Sequence, residues 1–186
     1  MERGARRSGG KACATSNAPR LVGGILAAEP AVPQPIRTLE EFFAHAIAIE
    51  REAIARYAEF EPWFAERGEP VLAGLCGAIA REERKHHAAL LRASSGLVLP
   101  PADALSPGWV EAGFSEAPAR EAFYRVAQPH HLLELALQGE CNALAFFDWV
   151  ACTSPLPDVK ALARDMAREE QDHVRWVRDA LEYHPV

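Results

Sequence analysis

A Glu on an apolar helical stretch, followed about thirty residues later by Glu-x-x-His, occurs twice in this chain of 186 residues. The first copy is Glu50 with Glu83 and His86, and the second is Glu140 with Glu170 and His173. With 20 Glu and seven His in the chain, a Glu three places before a His recurs by chance, so the spacing alone says little. The constraint lies in where the six residues fall. Each sits on the inward seam of its own helical stretch, where apolar steps alternate between four and three. The four seams run Phe43, Ile47, Glu50, Ile54, Tyr57; then Leu72, Cys76, Ile79, Glu83, His86, Leu90; then Leu133, Leu137, Glu140, Leu144, Phe147; and finally Val159, Ala163, Met166, Glu170, His173, Val177. An ionisable group in the same register of all four stripes predicts a duplicated helical hairpin that closes into an all-α four-helix bundle.

Four carboxylates in a bundle core cost several kcal/mol each if nothing pairs with them. Two divalent cations balance four Glu and leave both His free to ligate as neutral imidazoles. Glu at i and His at i+3 share a helix face, so each pair can reach one ion together. The pattern therefore predicts a dinuclear metal site. Solvated faces are assigned to other residues of these helices, namely Arg51, Glu52, Arg56, Arg84, Lys85, Arg168, Arg175 and Arg178. Mixed carboxylate and imidazole ligation suits Fe²⁺ and Mn²⁺, with Zn²⁺ able to compete.

The stretches AIAIEREAIARY at 46–57, REERKHH at 81–87, AREEQDH at 167–173 and PHHLLELAL at 129–137 resemble the ligand motifs and third-helix start of rubrerythrin-like proteins in the ferritin-like superfamily. The resemblance covers roughly residues 38–183. It implies a ferritin-like bundle with a long crossover between the second and third helices. It also implies two Fe ions held by Glu50, Glu83, His86, Glu140, Glu170 and His173, with Glu83 and Glu170 bridging. Tyr57 matches a family position near the metals, and packing in the core explains it equally well. The implied chemistry is reduction of hydrogen peroxide, or oxidation of Fe²⁺ by O₂ or peroxide. Two other readings stay open: a ferroxidase subunit of a larger iron-storing shell, and a non-catalytic scaffold held together by its metals.

Two departures from the family pattern bear on function. Rubrerythrins proper carry a further Glu three residues after the third-helix ligand, where this chain has Ala143. They also usually carry a rubredoxin domain with paired Cys-x-x-Cys knuckles, and Cys13, Cys76, Cys141 and Cys152 form no such pair. Electrons are therefore expected from a separate rubredoxin or a small reductant, and a homodimer is the expected assembly.

Composition limits the alternatives. With 49% hydrophobic residues the chain suits one domain with a sizeable core, and no apolar run is long enough to span a bilayer. The net charge of −6 is uneven. Residues 1–36 hold five Lys and Arg against two Glu, so the body carries the whole acidic excess, which argues against general nucleic-acid binding. That first segment, rich in Gly, Ala, Pro, Arg and Ser, reads as a disordered tail. Its short apolar LVGGILAA resembles a targeting segment only weakly, so a cytoplasmic location is expected. Cys76 reads as a small core residue, and Cys141, turned about a hundred degrees from Glu140, should not touch the same metal.

Punctuation sets the boundaries. Thr38 with Glu41 predicts a capping box opening the first helix, which runs to about Ala65; Gly68 ends it and Pro70 opens the second. The second helix is expected to end near Ser94, before Gly96. The first hairpin is thus 38–95, the crossover 96–128 and the second hairpin 129–183, within a bundle domain at 37–186. Pro129 starts the third helix, and Ser154 with Pro155 separates it from the fourth. A short helix is expected at 116–126, and Trp109, Phe114, Phe123 and Tyr124 are expected to cover the bundle or a partner. His130 and His131, in a first helical turn, are read as exposed. His45 and His87, off the seam, are read in the same way.

Overall fold

The computed structural model describes residues 35–101, 124 and 127–184. Four helices make up the described fold: α1 Leu39–Glu66, α2 Pro70–Ala93, α3 Pro129–Thr153 and α4 Pro157–Tyr183. α1 packs along α2 and α3 along α4, so each hairpin is a unit; α1 then meets α3, and α2 meets α4. No strand occurs among the described residues. This is the duplicated-hairpin, ferritin-like four-helix bundle. The tail through residue 34, the region of the expected short helix apart from Tyr124, and Trp109, Phe114 and Phe123 lie outside the described residues.

Helix ends fall where local chemistry demands them. Thr38 Oγ1 accepts from the Glu41 amide at 3.1 Å, covering one of the free N–H groups at the start of α1. Glu41 returns its carboxylate to the Arg37 amide at 2.9 Å, one residue earlier than a capping box would have it. Gly68, at φ +77°, takes the left-handed turn that ends α1, and Gly96, at φ +92°, does the same after α2. Pro70, Pro129 and Pro157 each stand at the first position of a helix, where no N–H is needed. Before α3, Gln128 and His131 form a reciprocal box, with the Gln128 amide donating to His131 Nδ1 at 3.1 Å. His131 is thus an exposed cap rather than part of a second site.

The apolar core comes in two halves. One gathers Phe42, Phe43, Ile49, Phe146, Phe147, Val150, Val159 and Met166, with Leu90 from α2. The other gathers Tyr57, Phe60, Phe64, Leu72, Cys76, Ile79, Leu133 and Val177. Along every helix the passage from one half to the other occurs at the ionisable seam residue. Burying one such side chain contributes roughly 1.5–3 kcal/mol, so two packed half-cores can hold a costly polar layer between them. Ile36 is buried against the first half and its carbonyl accepts from Ser154 Oγ at 2.9 Å, tying the start of the described chain to the α3–α4 corner.

Two residues lie elsewhere than their patterns suggest. His45 is buried rather than exposed: its Nδ1 is 2.8 Å from the Glu41 carbonyl and its ring stacks on Phe146 at 5.5 Å. Arg56 leaves the solvated face and turns toward Glu140. Tyr124 packs its ring edge against Phe60, donates to Glu59 at 2.7 Å, and offers its carbonyl to Trp63 and Arg67. It covers the bundle, as its aromatic character suggests.

Candidate metal centre

The polar layer is built from one Glu on each of α1 and α3, and a Glu-x-x-His on each of α2 and α4. Glu50, Glu83, Glu140, Glu170 and His173 are all buried, and His86 is nearly so. All six residues converge. Their donor atoms form two groups, Glu50 with Glu83 and His86, and Glu83 with Glu140, Glu170 and His173; within each group the ligand atoms lie within 4.8 Å of one another. Glu83 belongs to both. His173 Nδ1 is 3.0 Å from Glu83 Oε1, 3.5 Å from Glu140 Oε2 and 3.6 Å from Glu170 Oε2. His86 Nδ1 is 3.4 Å from Glu83 Oε2 and 3.8 Å from Glu50 Oε2. The two imidazoles lie nearly parallel, 5.8 Å apart.

These atoms are close without being hydrogen-bonded. Both oxygens of Glu50 and of Glu83, one oxygen each of Glu140 and Glu170, and Nδ1 of His86 and His173 are buried with no hydrogen-bond partner. Buried polar atoms are satisfied in nine cases out of ten or more, so eight orphans at one spot need an explanation. Each is an oxygen or imidazole nitrogen that can coordinate a cation, and the donor set fits a pair of divalent ions.

A family model described as Rubrerythrin matches residues 41–124 and 131–184. The chain belongs to the rubrerythrin family. Among solved structures, an uncharacterised conserved protein from Magnetospirillum magnetotacticum MS-1 is similar to it, with 29% sequence identity and a TM-score of 0.68, over 80% of this chain and 97% of the other. No curated protein matches the chain.

Protons in this rubrerythrin-type cluster are distributed unequally. Burial, reinforced by the Glu83 carboxylate, raises the Glu50 carboxyl well above the usual range. Burial also raises Glu170, with Glu83 and Glu140 adding to the effect against His173. Burial would raise Glu83 too, but contacts with His173, His86 and Glu50 outweigh it and hold the group down. For His173, burial favours the neutral ring, and the surrounding Glu140, Glu170 and Glu83 overcome this to push it up to about 12. Burial thus favours the protonated forms of Glu50 and Glu170, and the carboxylates around His173 favour its protonated ring.

Two neighbours complete the site. Tyr57 is fully buried and donates a 2.6 Å hydrogen bond to Glu140 Oε1, so it both packs the core and touches the polar layer. Burial and the Glu140 charge raise its hydroxyl well above the usual tyrosine value, which keeps the proton on Oη. Arg56 Nη1 lies 3.7 Å from the same Glu140 oxygen. On the other side, the exposed Glu169 places Oε2 3.5 Å from His86 Nε2. Cys76 lies in the second half-core, and burial pushes its thiol up to about 12, consistent with an inert packing residue. His130 contacts Glu134 and the His184 carbonyl, away from these six residues. No described helix is long and apolar enough to cross a membrane.

Proposed function

We propose that this protein is a di-iron oxidoreductase of rubrerythrin type, reducing hydrogen peroxide or oxidising Fe²⁺ with O₂ or peroxide. The observation that carries this reading is the set of buried, unpartnered donor atoms on Glu50, Glu83, His86, Glu140, Glu170 and His173. In this assignment Glu50 and Glu140 would hold the ions as terminal ligands, Glu83 and Glu170 would be shared between them, and the two His would supply terminal nitrogens. The sharing of Glu83 between both groups supports its bridging place. Two iron ions bound there would supply the two electrons that reduction of a peroxide O–O bond takes. Tyr57 keeps a proton on Oη and orients Glu140, and the two apolar half-cores keep bulk water from the layer. The electron donor is a separate rubredoxin or a small reductant, and the working form is a cytoplasmic homodimer.

The test is metal content by mass spectrometry on protein purified without oxygen, followed by rapid mixing with H₂O₂ or with O₂. Two Fe per chain, oxidised by H₂O₂ and re-reduced by an added donor, would support the peroxidase form. Turnover of excess Fe²⁺ would support ferroxidase chemistry, and size-exclusion chromatography would separate a dimer from a storage shell. About one Zn per chain and no reaction with either oxidant would sink the proposal.

A further inference from the structure

α2 differs from the other three helices in charge. With Glu83 buried in the layer, its remaining charged residues are Arg81, Arg84, Lys85 and Arg92 against Glu82 alone, and Lys85 holds Glu82 at 2.7 Å. α1, α3 and α4 each carry more acidic than basic residues, in a chain of net charge −6. Arg81, Arg84 and Arg92 are exposed, and none of them has an ion pair among the described residues. They form one line on the side of α2 opposite Glu83, about 16 Å long. Ala88 lies within that line, and Gly74 and Ala78 continue it toward the start of the helix, so the face is low as well as basic. At its far end Leu91, next to Arg92, and Val98 are 48% and 90% exposed.

The second hairpin shows that such a line is not needed to keep a helix of this bundle solvated. Aligning Glu83 with Glu170 and His86 with His173 sets Arg81, Arg84 and Arg92 against Arg168, Gln171 and Asp179 of α4. There Arg168 pairs with Asp165, and Arg175 with Asp172, so these α4 cations are neutralised locally. The unpaired basic line belongs to one copy of the hairpin only. It also lies close to the polar layer: a helix with its side chains is about 10–12 Å across, so a partner on the outer face of α2 is one helix diameter from Glu83. Of the six core residues, His86 on the same helix has the most exposed side chain, at 15%.

Taking those six residues as the di-iron ligands, we propose that the outer face of α2 is the docking surface for a small acidic protein that delivers one electron per encounter. Weak electron-transfer encounters use small interfaces, and complementary charge steers them. The acidic excess of the other helices repels such a carrier, while Arg81, Arg84 and Arg92 draw it to the helix that carries Glu83 and His86. Two reduced carriers each lose one electron for every H₂O₂ that takes up two electrons and two protons to become two H₂O.

The test uses full-length protein loaded with Zn²⁺, which has no redox chemistry, and an acidic rubredoxin as the probe, with calorimetry at low and at high salt. The wild type should form a saturable complex that weakens as salt rises. Joint replacement Arg81→Gln, Arg84→Gln and Arg92→Gln should weaken it about tenfold or more. Removing the same number of charges from α4, by Lys160→Gln, Arg164→Gln and Arg178→Gln, should change it less than about twofold. In the iron-loaded protein the α2 variant should be reduced more slowly by limiting rubredoxin, yet at the wild-type rate by dithionite. No complex with the wild type, equal weakening by the two sets of substitutions, or equal slowing with dithionite would overturn the proposal. So would duplex DNA or anionic vesicles binding through the three arginines in place of the carrier. Two Fe per chain with no complex would leave the di-iron reading standing, whereas an arginine-dependent complex in a protein that binds no iron would keep the docking face and sink that reading.

Discussion

Tyr57 Oη lies 2.6 Å from Glu140 Oε1, so a residue of the first hairpin holds a carboxylate of the second. The duplication is not symmetrical here. Phe147 stands seven residues after Glu140, as Tyr57 stands seven after Glu50, and it has no hydroxyl to give the opposite carboxylate. Both oxygens of Glu50 are accordingly without a hydrogen-bond partner, whereas only Oε2 of Glu140 is. The two halves of the polar layer therefore differ in how firmly the protein fixes their carboxylates. Tyr57→Phe removes the bond while keeping the ring and its edge contact with Phe60. Hydrogen bonds to charged groups contribute about 1.5–3 kcal/mol, so chemical denaturation should show the metal-free variant destabilised by about that much. Stability within about 0.5 kcal/mol of the wild type would mean the bond contributes little net energy in this layer.

Glu83 and Glu50 should separate in their effects on stoichiometry. Glu83 contributes to both ligand groups, and Glu50 only to the one that includes His86. Glu83→Ala is expected to lose both ions, and Glu50→Ala to retain about one per chain, held by Glu83, Glu140, Glu170 and His173. Equilibrium titration with Zn²⁺, which has no redox chemistry to complicate the count, measures this directly. Retention of two ions in Glu83→Ala would show that the carboxylate is not shared.

The seam pattern made the six core residues legible because steps of three and four fix a helix face regardless of tertiary contacts. Pro70, Gly68, Gly96 and Pro129 were legible for an equally local reason: each backbone requirement is met by one residue type. Arg56 could not be read this way. It is one residue off the seam, with Glu52 and Glu59 a turn away on either side, and its inward turn depends on a glycine that only the folded bundle brings opposite it. His45 was hidden for a related reason: α1 buries a wider face than a single seam, since Phe42, Ala46, Ala53, Phe60 and Phe64 are covered as well. The reciprocal pair Gln128 and His131 escaped because caps are expected from Ser, Thr, Asp or Asn.

Glu169 should tune one metal position more than the other. Its carboxylate is 3.5 Å from His86 Nε2, on the far side of the ring from the Nδ1 that faces Glu83 and Glu50. The corresponding residue of the first hairpin, Glu82, is held instead by Lys85 at 2.7 Å. Outer carboxylates of this kind fix a ligating imidazole's tautomer, and their loss typically costs 10–100-fold in metal affinity. Because Glu169 is half-exposed, the lower end is expected: Glu169→Ala should weaken one of two Zn²⁺ binding steps about tenfold and spare the other. Equal weakening of both steps would point to a general charge effect.

The metal-free protein should lose stability as pH rises, whereas the metal-loaded form should not. His173 has its pKa raised from the ordinary 6.5 to about 12, so the folded state keeps a proton that the unfolded chain releases. Its contribution is full below about 6.5 and is lost as pH climbs toward 12. Glu50 and Glu170, raised above 4.5 by burial, act in the same direction from 4.5 upward. Glu83 is held down at about 2 and opposes them only below 4.5, where protonating it removes stability. Metal binding requires these protons to leave, so affinity grows with pH and adds stability by mass action. Thermal unfolding at about pH 6 and about pH 9 should therefore give a falling midpoint for chelator-treated protein and a steady or rising one with two equivalents of Zn²⁺. Glu170→Gln, which cannot titrate, should flatten the metal-free trend. A metal-free midpoint that rises with pH would mean that His173 is already neutral in the fold and that the cluster stores no excess protons.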